Sequence, residues 1–308
     1  MPARTGTDPV EPTTQVASVL PDDVAAFAHR VRRAATEADG VAPLSEQSVA
    51  AIDAAAGSDV RHVFSDAGYA NVLIGRDGEP AMIEAVVDPA LRRRGAGRAL
   101  LTTALSVARD LVADPSPRAW AHGDLPGAIA LAGRLGLERR RELLQLRRPV
   151  GPDAPSLPPL EVPDGIVLRT YAGPADDAEI LRVNNAAFDW HPEQGGWSAD
   201  QIVERVGADW FDADGLFLAF DAADPGHLLG FHWTKVHDAD LGEVYIVGVD
   251  PAAQGRGLGR LLTLAGLHHL LRRGMAEVEL YVEGDNTAAL RTYEHLGFGR
   301  YAIDVAYG

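Results

Sequence analysis

The chain has no cysteine among its 308 residues. That excludes disulfides, thiolate metal sites and a cysteine nucleophile together. Lysine is nearly absent: Lys235 is the one lysine among 28 basic residues, a bias of composition that carries no mechanism. No apolar run reaches the roughly 18 residues of a membrane-spanning helix. The start, Met1 to Gln15, is polar and lacks the basic-then-apolar order of an export signal, so a cytoplasmic protein is expected. A net charge of -16 argues against the broad basic stripe that nucleic acid requires. Phosphate motifs of two common kinds are missing as well. There is no Gly-Lys-Ser/Thr, and Arg260 occupies the last glycine place of a Gly-x-Gly-x-x-Gly. The histidines His191, His232 and His237 have no metal-ligand spacing and read as structural or hydrogen-bonding, so no metal is expected. His268 and His269 share a helix and read as half-exposed.

What the chain does have is a repeat. Val87-Asp88-Pro89 followed by Arg93-Arg94-Gly95-Ala96-Gly97-Arg98 returns as Val249-Asp250-Pro251 followed by Gly255-Arg256-Gly257-Leu258-Gly259-Arg260. The offset from Asp88 to Asp250 is 162 residues, a domain length rather than a solenoid period. Ala121 to Leu137 lines up with Val282 to Phe298 at an offset of 161, which keeps the register. Two domains follow, in keeping with the length. Residues 1–20 read as a disordered tail, 21–148 as one domain, 149–163 as a linker with six prolines, and 164–308 as the second domain.

Periodicity and turn residues give the elements. Helices are expected over 21–38 and 45–55, strands at 60–64, 70–75 and 81–87, and a helix over 97–111 after the first loop. A strand at 118–121, a helix over 126–135 and a strand at 143–147 close the first domain. The second repeats the order: a strand at 166–170, helices over 176–188 and 198–208, and strands at 216–220, 228–236 and 243–249. A helix over 259–272, a strand at 278–282, a helix over 286–296 and a final strand at 300–306 complete it. A meander of strands that then alternates with helices implies a mixed α/β (α+β) class: two tandem domains, each a central, mostly antiparallel sheet flanked by helices.

Each glycine loop joins a strand to an amphipathic helix. Glycines let the backbone turn sharply and gather N–H groups around an anion, and the helix dipole adds to the attraction. The pattern alone is weak evidence, because many folds use it structurally. Its surroundings in the second half are more specific. Gly248 interrupts the preceding strand, and Asn286 stands at a helix start with Tyr293 two turns on.

At this point the halves resemble GNAT-superfamily acetyltransferase domains. The stretches Val183–Phe188, His191–Trp197, Phe231–His237 and Gly242–Tyr245 resemble the mycothiol synthase family within that superfamily, over nearly the whole chain after the tail. The glycine loop marks only the superfamily; the other stretches point to the family. The resemblance implies an acetyl-CoA-dependent N-acetyltransferase acting on the cysteinyl amine of desacetylmycothiol (Cys-GlcN-Ins), a small thiol-bearing amine, in a monomer without nucleic-acid or membrane partners. It implies acetyl-CoA held by Val247, Gly248, Val249, Gln254, Gly255, Arg256, Gly257, Leu258, Gly259, Arg260 and Asn286, Thr287, Ala288, Ala289, Leu290, Arg291. A second acetyl-CoA would be held by Ala85, Val86, Val87, Arg93, Arg94, Gly95, Ala96, Gly97 and Arg98. The acceptor would meet Asp39, Glu193, Lys235, Glu243 and Tyr281, with Glu243 also serving as base.

The chemistry can be read beside the resemblance. Acyl transfer to an amine takes a proton from the ammonium and returns one to the departing thiolate. A carboxylate at Glu243 suits the first task, and a phenol at Tyr293, still protonated at neutral pH, suits the second. Backbone N–H groups beside Gly248 suit an oxyanion site. In the first half Leu125 replaces Asn286, Ala132 replaces Tyr293, and counting back from Asp-Pro puts Ala81 where Glu243 stands. The expectation is an acetyl-CoA-binding first domain without turnover. Two alternatives stay open: an acetyltransferase of another small amine or a protein N-terminus, and a non-catalytic acyl-CoA-binding module.

Overall fold

The computed structural model describes residues 13–54, 59–75, 78–112, 114–189 and 194–308. Two compact units divide the chain: unit 1 comprises 1–142 and 303–308, and unit 2 comprises 143–302.

Unit 1 begins with β1 (Gln15–Ala17), which pairs antiparallel with β2 (Val60–Ser65). The tail expectation for 1–20 is corrected there, since Val16 opposes Val63 and Leu20 is buried; residues 1–12 lie outside the described residues. Helix α1 (Asp22–Asp39) carries Asp22 and Asp23 in its first turn, favourable to its dipole. It stops at Gly40, whose φ of 72° lets its N–H return to the Thr36 carbonyl. Helix α2 (Glu46–Ile52) is capped by the Ser45 hydroxyl. Strands β2, β3 (Gly68–Leu73) and β4 (Met82–Val87) form an antiparallel meander. Helix α3 (Ala96–Leu111) follows the loop, then β5 (Arg118–His122) and α4 (Pro126–Arg134). Leu100, Leu101, Ala104, Leu105 and Ala108 recur at helical spacing and bury α3 against Val63, Val72 and Ile83 on one face of the sheet. The other face packs Phe64, Tyr69 and Val86 against α1 and α2.

Unit 2 repeats the plan. Strand β7 (Ile166–Thr170) leads to α5 (Asp177–Ala187) and α6 (Ala199–Val206), then to the meander β8 (Leu216–Asp221), β9 (Asp224–Val236) and β10 (Leu241–Val249). Helix α7 (Leu258–Arg272), β11 (Glu277–Glu283) and α8 (Thr287–His295) follow the second loop. Leu258, Leu261, Leu262 and Ala265 of α7 lie under Phe217, Ala219 and Leu229. Each fully buried leucine of that kind contributes about 1.5–3 kcal/mol. The opposite face holds an aromatic core around Phe231 and Trp233.

The mixed α/β class and the helix and strand order agree with the sequence reading; the terminal strands do not. Strand β6 (Arg139–Pro149) pairs antiparallel with β11, Leu143 to Pro149 opposing Glu283 to Glu277. Strand β12 (Gly299–Tyr307) pairs with β5. The strand placed at the end of the first domain thus completes the sheet of unit 2, and residues 303–307 of the chain's last strand complete that of unit 1. Strand partners are chosen by edge complementarity in space, which period-2 patterning does not encode.

In both units the two strands around the glycine loop start parallel and then part. The β4–β5 ladder ends at Ile83–Ala119, and the β10–β11 ladder ends at Glu243–Glu279. Beyond those rungs, among the described residues, Ala85–Val87 and Val247–Val249 stay paired with β3 and β9 only, and Ala85–Val87 line a cavity.

Candidate active site

The two glycine loops have the same backbone. Asp88 and Asp250 both have φ near -50° and each caps a one-turn 3-10 helix with its carboxylate. Gly95 and Gly257 precede α3 and α7 with φ of 92° and 77°. Two places before, Gly255 has φ of 77° and its counterpart Arg93 has φ of 64°. A left-handed arginine costs conformational energy, so the unit 1 loop keeps this shape without the glycine that would make it easy. The first N–H groups of both helices have no partner within the helix. In unit 2, Arg256, Gly257 and Arg260 line a cavity of about 300 Å³ with Pro158, Pro159 and Pro163 of the linker, and His268 is tied to the Pro158 carbonyl at 2.8 Å. In unit 1 a cavity of about 420 Å³ runs from Arg93 and Gly97 past Ala85–Val87 to His122, with Asp39 and Val41 on its wall.

Gly242 faces α7, where an added Cβ would come within 2.8 Å of Leu270. Glu243, the next residue, therefore points to the opposite face. It pairs with Lys235 on β9 and with Glu279 on β11, and Glu279 pairs with Arg147 on β6. A charged row crosses four neighbouring strands: Lys235, Glu243, Glu279, Arg147. His237 Nε2 lies 2.8 Å from Glu243 Oε2 and 3.6 Å from Glu279 Oε1. Arg147 holds Glu279 at 2.9 Å, and Gln145 Nε2 donates to both Glu279 (2.7 Å) and the Tyr281 hydroxyl (3.1 Å). Lys235 Nζ sits 5.1 Å and 5.5 Å from the rings of Trp210 and Tyr245, within cation–π range. Burial pushes the Glu243 carboxyl above its ordinary range; His237 and Lys235 pull it down, and the Glu279 charge pushes it up again.

A β-bulge between Val244 and Ile246 shifts the β9–β10 register by one residue, whereas β3–β4 runs without interruption. Residue counting put Ala81 at Glu243's place. By strand pairing, Leu73–Met82 is the rung equivalent to Lys235–Glu243, so the counterpart is Met82. The extra residue of the bulge is the cause, and neither side chain is a base.

Of the acceptor candidates, Lys235, Glu243 and Tyr281 gather in this patch, and Glu193 lies outside the described residues. Asp39 belongs to unit 1, where Arg92 grips its carboxylate with two 2.7 Å bonds. Asn286 caps α8 by accepting from the Ala289 N–H at 3.1 Å. Tyr293 packs edge-on against Phe298, and burial raises its phenol to about 12, so it stays protonated. Gly248 is the close approach expected of a strand glycine: a Cβ there would sit 2.6 Å from the Phe231 ring. His232 is fully buried, bonded to the Leu262 carbonyl and pushed down to about 4 by burial, a structural histidine as expected. His269 is not half-exposed but buried against Phe217 and Asp212.

Residue patterns missed His237, Glu279, Gln145 and Arg147 as a group. Glu279 was within reach, because it lies two places before Tyr281 and so shares its face. Gln145 and Arg147 were not, since β6 had been placed in the other sheet. Unit 1 holds a second unforeseen cluster. His122 lies 3.0 Å from Asp304 and 3.3 Å from Glu84, whose carboxylate also accepts the Ser45 N–H at 2.7 Å.

Parallel strands that part above a left-handed glycine turn thus have a buried carboxylate on the rung where they diverge. The model of the acetyltransferase (GNAT) family matches residues 42–137 and 184–298. A mycothiol acetyltransferase of Gordonia bronchialis is 72% identical over 308 residues, 100% of this chain and 98% of that protein. One of Nocardia farcinica is 58% identical over 282 residues, 89% and 90% of the two chains. Among solved structures, a GCN5-related N-acetyltransferase from Sphaerobacter thermophilus shares the fold at a TM-score of 0.72 and 24% identity, covering 96% of this chain and 94% of its own. A tandem GNAT protein from the clavulanic acid pathway does so at 0.67 and 22%, covering 96% and 98%. The chain belongs to the GNAT family of acetyl-CoA-dependent N-acetyltransferases and, within it, to the mycothiol acetyltransferases.

Proposed function

We propose that unit 2 transfers the acetyl group of acetyl-CoA to the cysteinyl amine of desacetylmycothiol, and that unit 1 holds a second acetyl-CoA without turnover. The observation that carries the reading is the position of Glu243: a buried carboxylate on the last rung before β10 and β11 part, beside an intact glycine loop. Glu243 takes the proton of the acceptor ammonium, freeing the nitrogen lone pair for the thioester carbonyl. Backbone N–H groups beside Gly248 stabilise the charge that grows on the carbonyl oxygen. Tyr293 gives its proton to the departing thiolate. Lys235 and Tyr281 bind the hydroxyl-rich acceptor on the same face. The glycine loop and the first turn of α7 hold the pyrophosphate, with Arg256 and Arg260 against it.

The names of the relatives at 72% and 58% identity support the acceptor, and the patch of Lys235, Glu243 and Tyr281 supplies polar groups suited to a sugar–inositol amine. For unit 1, the matching loop dihedrals and the cavity beside them support binding, and the absence of a carboxylate at Met82 supports lack of turnover. The test is incubation with acetyl-CoA and the cysteinyl-glucosaminyl-inositol thiol, followed by mass spectrometry of the acceptor. One acetyl group on the amine is the expected product. An unmodified acceptor, with acetyl-CoA bound, would send the assignment to another small amine.

A further inference from the structure

We infer that His237 and Glu279 act on the reaction through Glu243: His237 aims its carboxylate, and Glu279 sets how readily it takes a proton. The inference rests on the reading of Glu243 as base. Its ground is geometric. Two carboxylates, Glu243 and Glu279, stand side by side on one rung of parallel strands, both almost wholly buried. Like charges so placed oppose joint ionisation unless cations share them. Three do. Arg147 takes Glu279 at 2.9 Å from the β6 side, and Lys235 flanks Glu243 from β9. His237 reaches between the two, at 2.8 Å and 3.6 Å.

The pairing is asymmetric, and that decides which carboxylate is the base. Glu279 is committed: Arg147 and Gln145 both donate to its Oε2. Among the described residues Glu243 has one hydrogen bond, with His237 through Oε2, and its other oxygen is the one assigned here to an acceptor ammonium. The imidazole is a third exposed, bonds Glu243 at the rim of the sheet and keeps the other oxygen oriented. The charged groups around His237 are Glu243 on β10, Glu279 on β11, Arg147 beyond it on β6, Lys235 on its own strand, and Asp238 in the turn that follows. His237 and Glu279 are therefore positioning residues rather than catalytic ones.

The test is the acid limb of kcat, measured over about pH 5 to 9 with acetyl-CoA and the cysteinyl-glucosaminyl-inositol thiol both saturating. Full-length wild type is compared with Glu279→Gln, His237→Ala and His237→Gln, and acetyl-CoA binding by calorimetry verifies that each variant is folded. Removing the Glu279 charge makes Glu243 easier to ionise, so the limb moves to lower pH by about one unit. His237→Ala removes a stabilising partner and moves it to higher pH by a similar amount, with a lower plateau. His237→Gln keeps a donor and recovers part of the plateau. Equal loss of plateau in both substitutions, with the limb unmoved or displaced the same way, would overturn the inference. Glu243→Gln serves as the control. If it retains full activity, the base reading itself is wrong; if it is inactive while the limb ignores His237 and Glu279, only their role is wrong.

Discussion

Each unit keeps a buried glutamate beside a histidine on the helix-α1 or helix-α5 side of its sheet, yet the two are tuned in opposite directions. In unit 1 burial opposes the charge of Glu84, but hydrogen bonds from His122, Ser45 and Ser48 outweigh it and hold the carboxyl below its ordinary value. Burial also opposes the charge of His122, and Asp304 and Glu84 outweigh that too, lifting the imidazole to about 9. The result is a closed ion cluster with no proton to take or give near neutral pH. In unit 2 burial prevails at Glu243, whose proton affinity is raised towards the range where a general base works. The two loops share a backbone course, while the buried carboxylates near them differ in sequence position and in their partners.

The largest expected effect falls on the unit 2 machinery. Glu243→Gln and Tyr293→Phe should each lower kcat by about 10²–10⁴-fold, whereas Glu84→Gln should change kcat by less than about twofold while lowering thermal stability. Steady-state kinetics and melting curves check both halves of that statement. A large kcat loss in Glu84→Gln would erase the contrast between the units.

The loops come next. Gly257→Val places a β-branched residue at φ of 77°, a strain of order 1–3 kcal/mol. It should raise the acetyl-CoA KM about tenfold or more and remove one of two calorimetric binding events. Gly95→Val, at φ of 92°, should remove the other event. A wild-type stoichiometry of one would show that unit 1 has kept the loop and lost the ligand.

A stability difference of about 3 kcal/mol is expected from the unit 1 cluster. The folded His122 is raised to about 9 from an ordinary 6.5, so its contribution is fully present below about pH 6.5 and is lost as pH rises through about 9. Glu84, held low, contributes above its ordinary 4.5 and loses that as pH falls through its folded value. His122→Asn should therefore cost most near pH 6 to 6.5 and little near pH 10, as read from denaturant titrations. An equal cost at both pH values would deny the ion cluster.

The smallest change sharpens the acceptor patch. Tyr281→Phe removes one hydroxyl hydrogen-bonded to Gln145 and should raise the acceptor KM about threefold with kcat unchanged. A fall in kcat instead would place Tyr281 nearer the chemistry than its half-exposed position suggests.

Much of this was legible in residue order. The offset of 162 located both loops, and helical periodicity placed α3 and α7 within a residue or two because their apolar stripes are long. Glu243 and Tyr293 stood out by their absence from the other repeat. His237 was legible only as a structural or hydrogen-bonding histidine, because its 2.8 Å contact with Glu243, from the turn after β9 to β10, depends on how those strands pair. Glu279 and Arg147 depended on β6 lying beside β11, a pairing that local propensity does not carry.

By itself the sequence determined the family, the duplicated plan, the strand–loop–helix turns and the positions at which the two repeats differ, since these are written in local pattern and spacing. Only the tertiary structure decided three things. One was which strands complete each sheet. Another was that a bulge makes Met82, not Ala81, the counterpart of Glu243. The third was that Lys235, Glu243, Glu279 and Arg147 fall in one row. Backbone hydrogen bonding between strands distant in sequence sets that register, and the charges of a row act on one another only once it has formed.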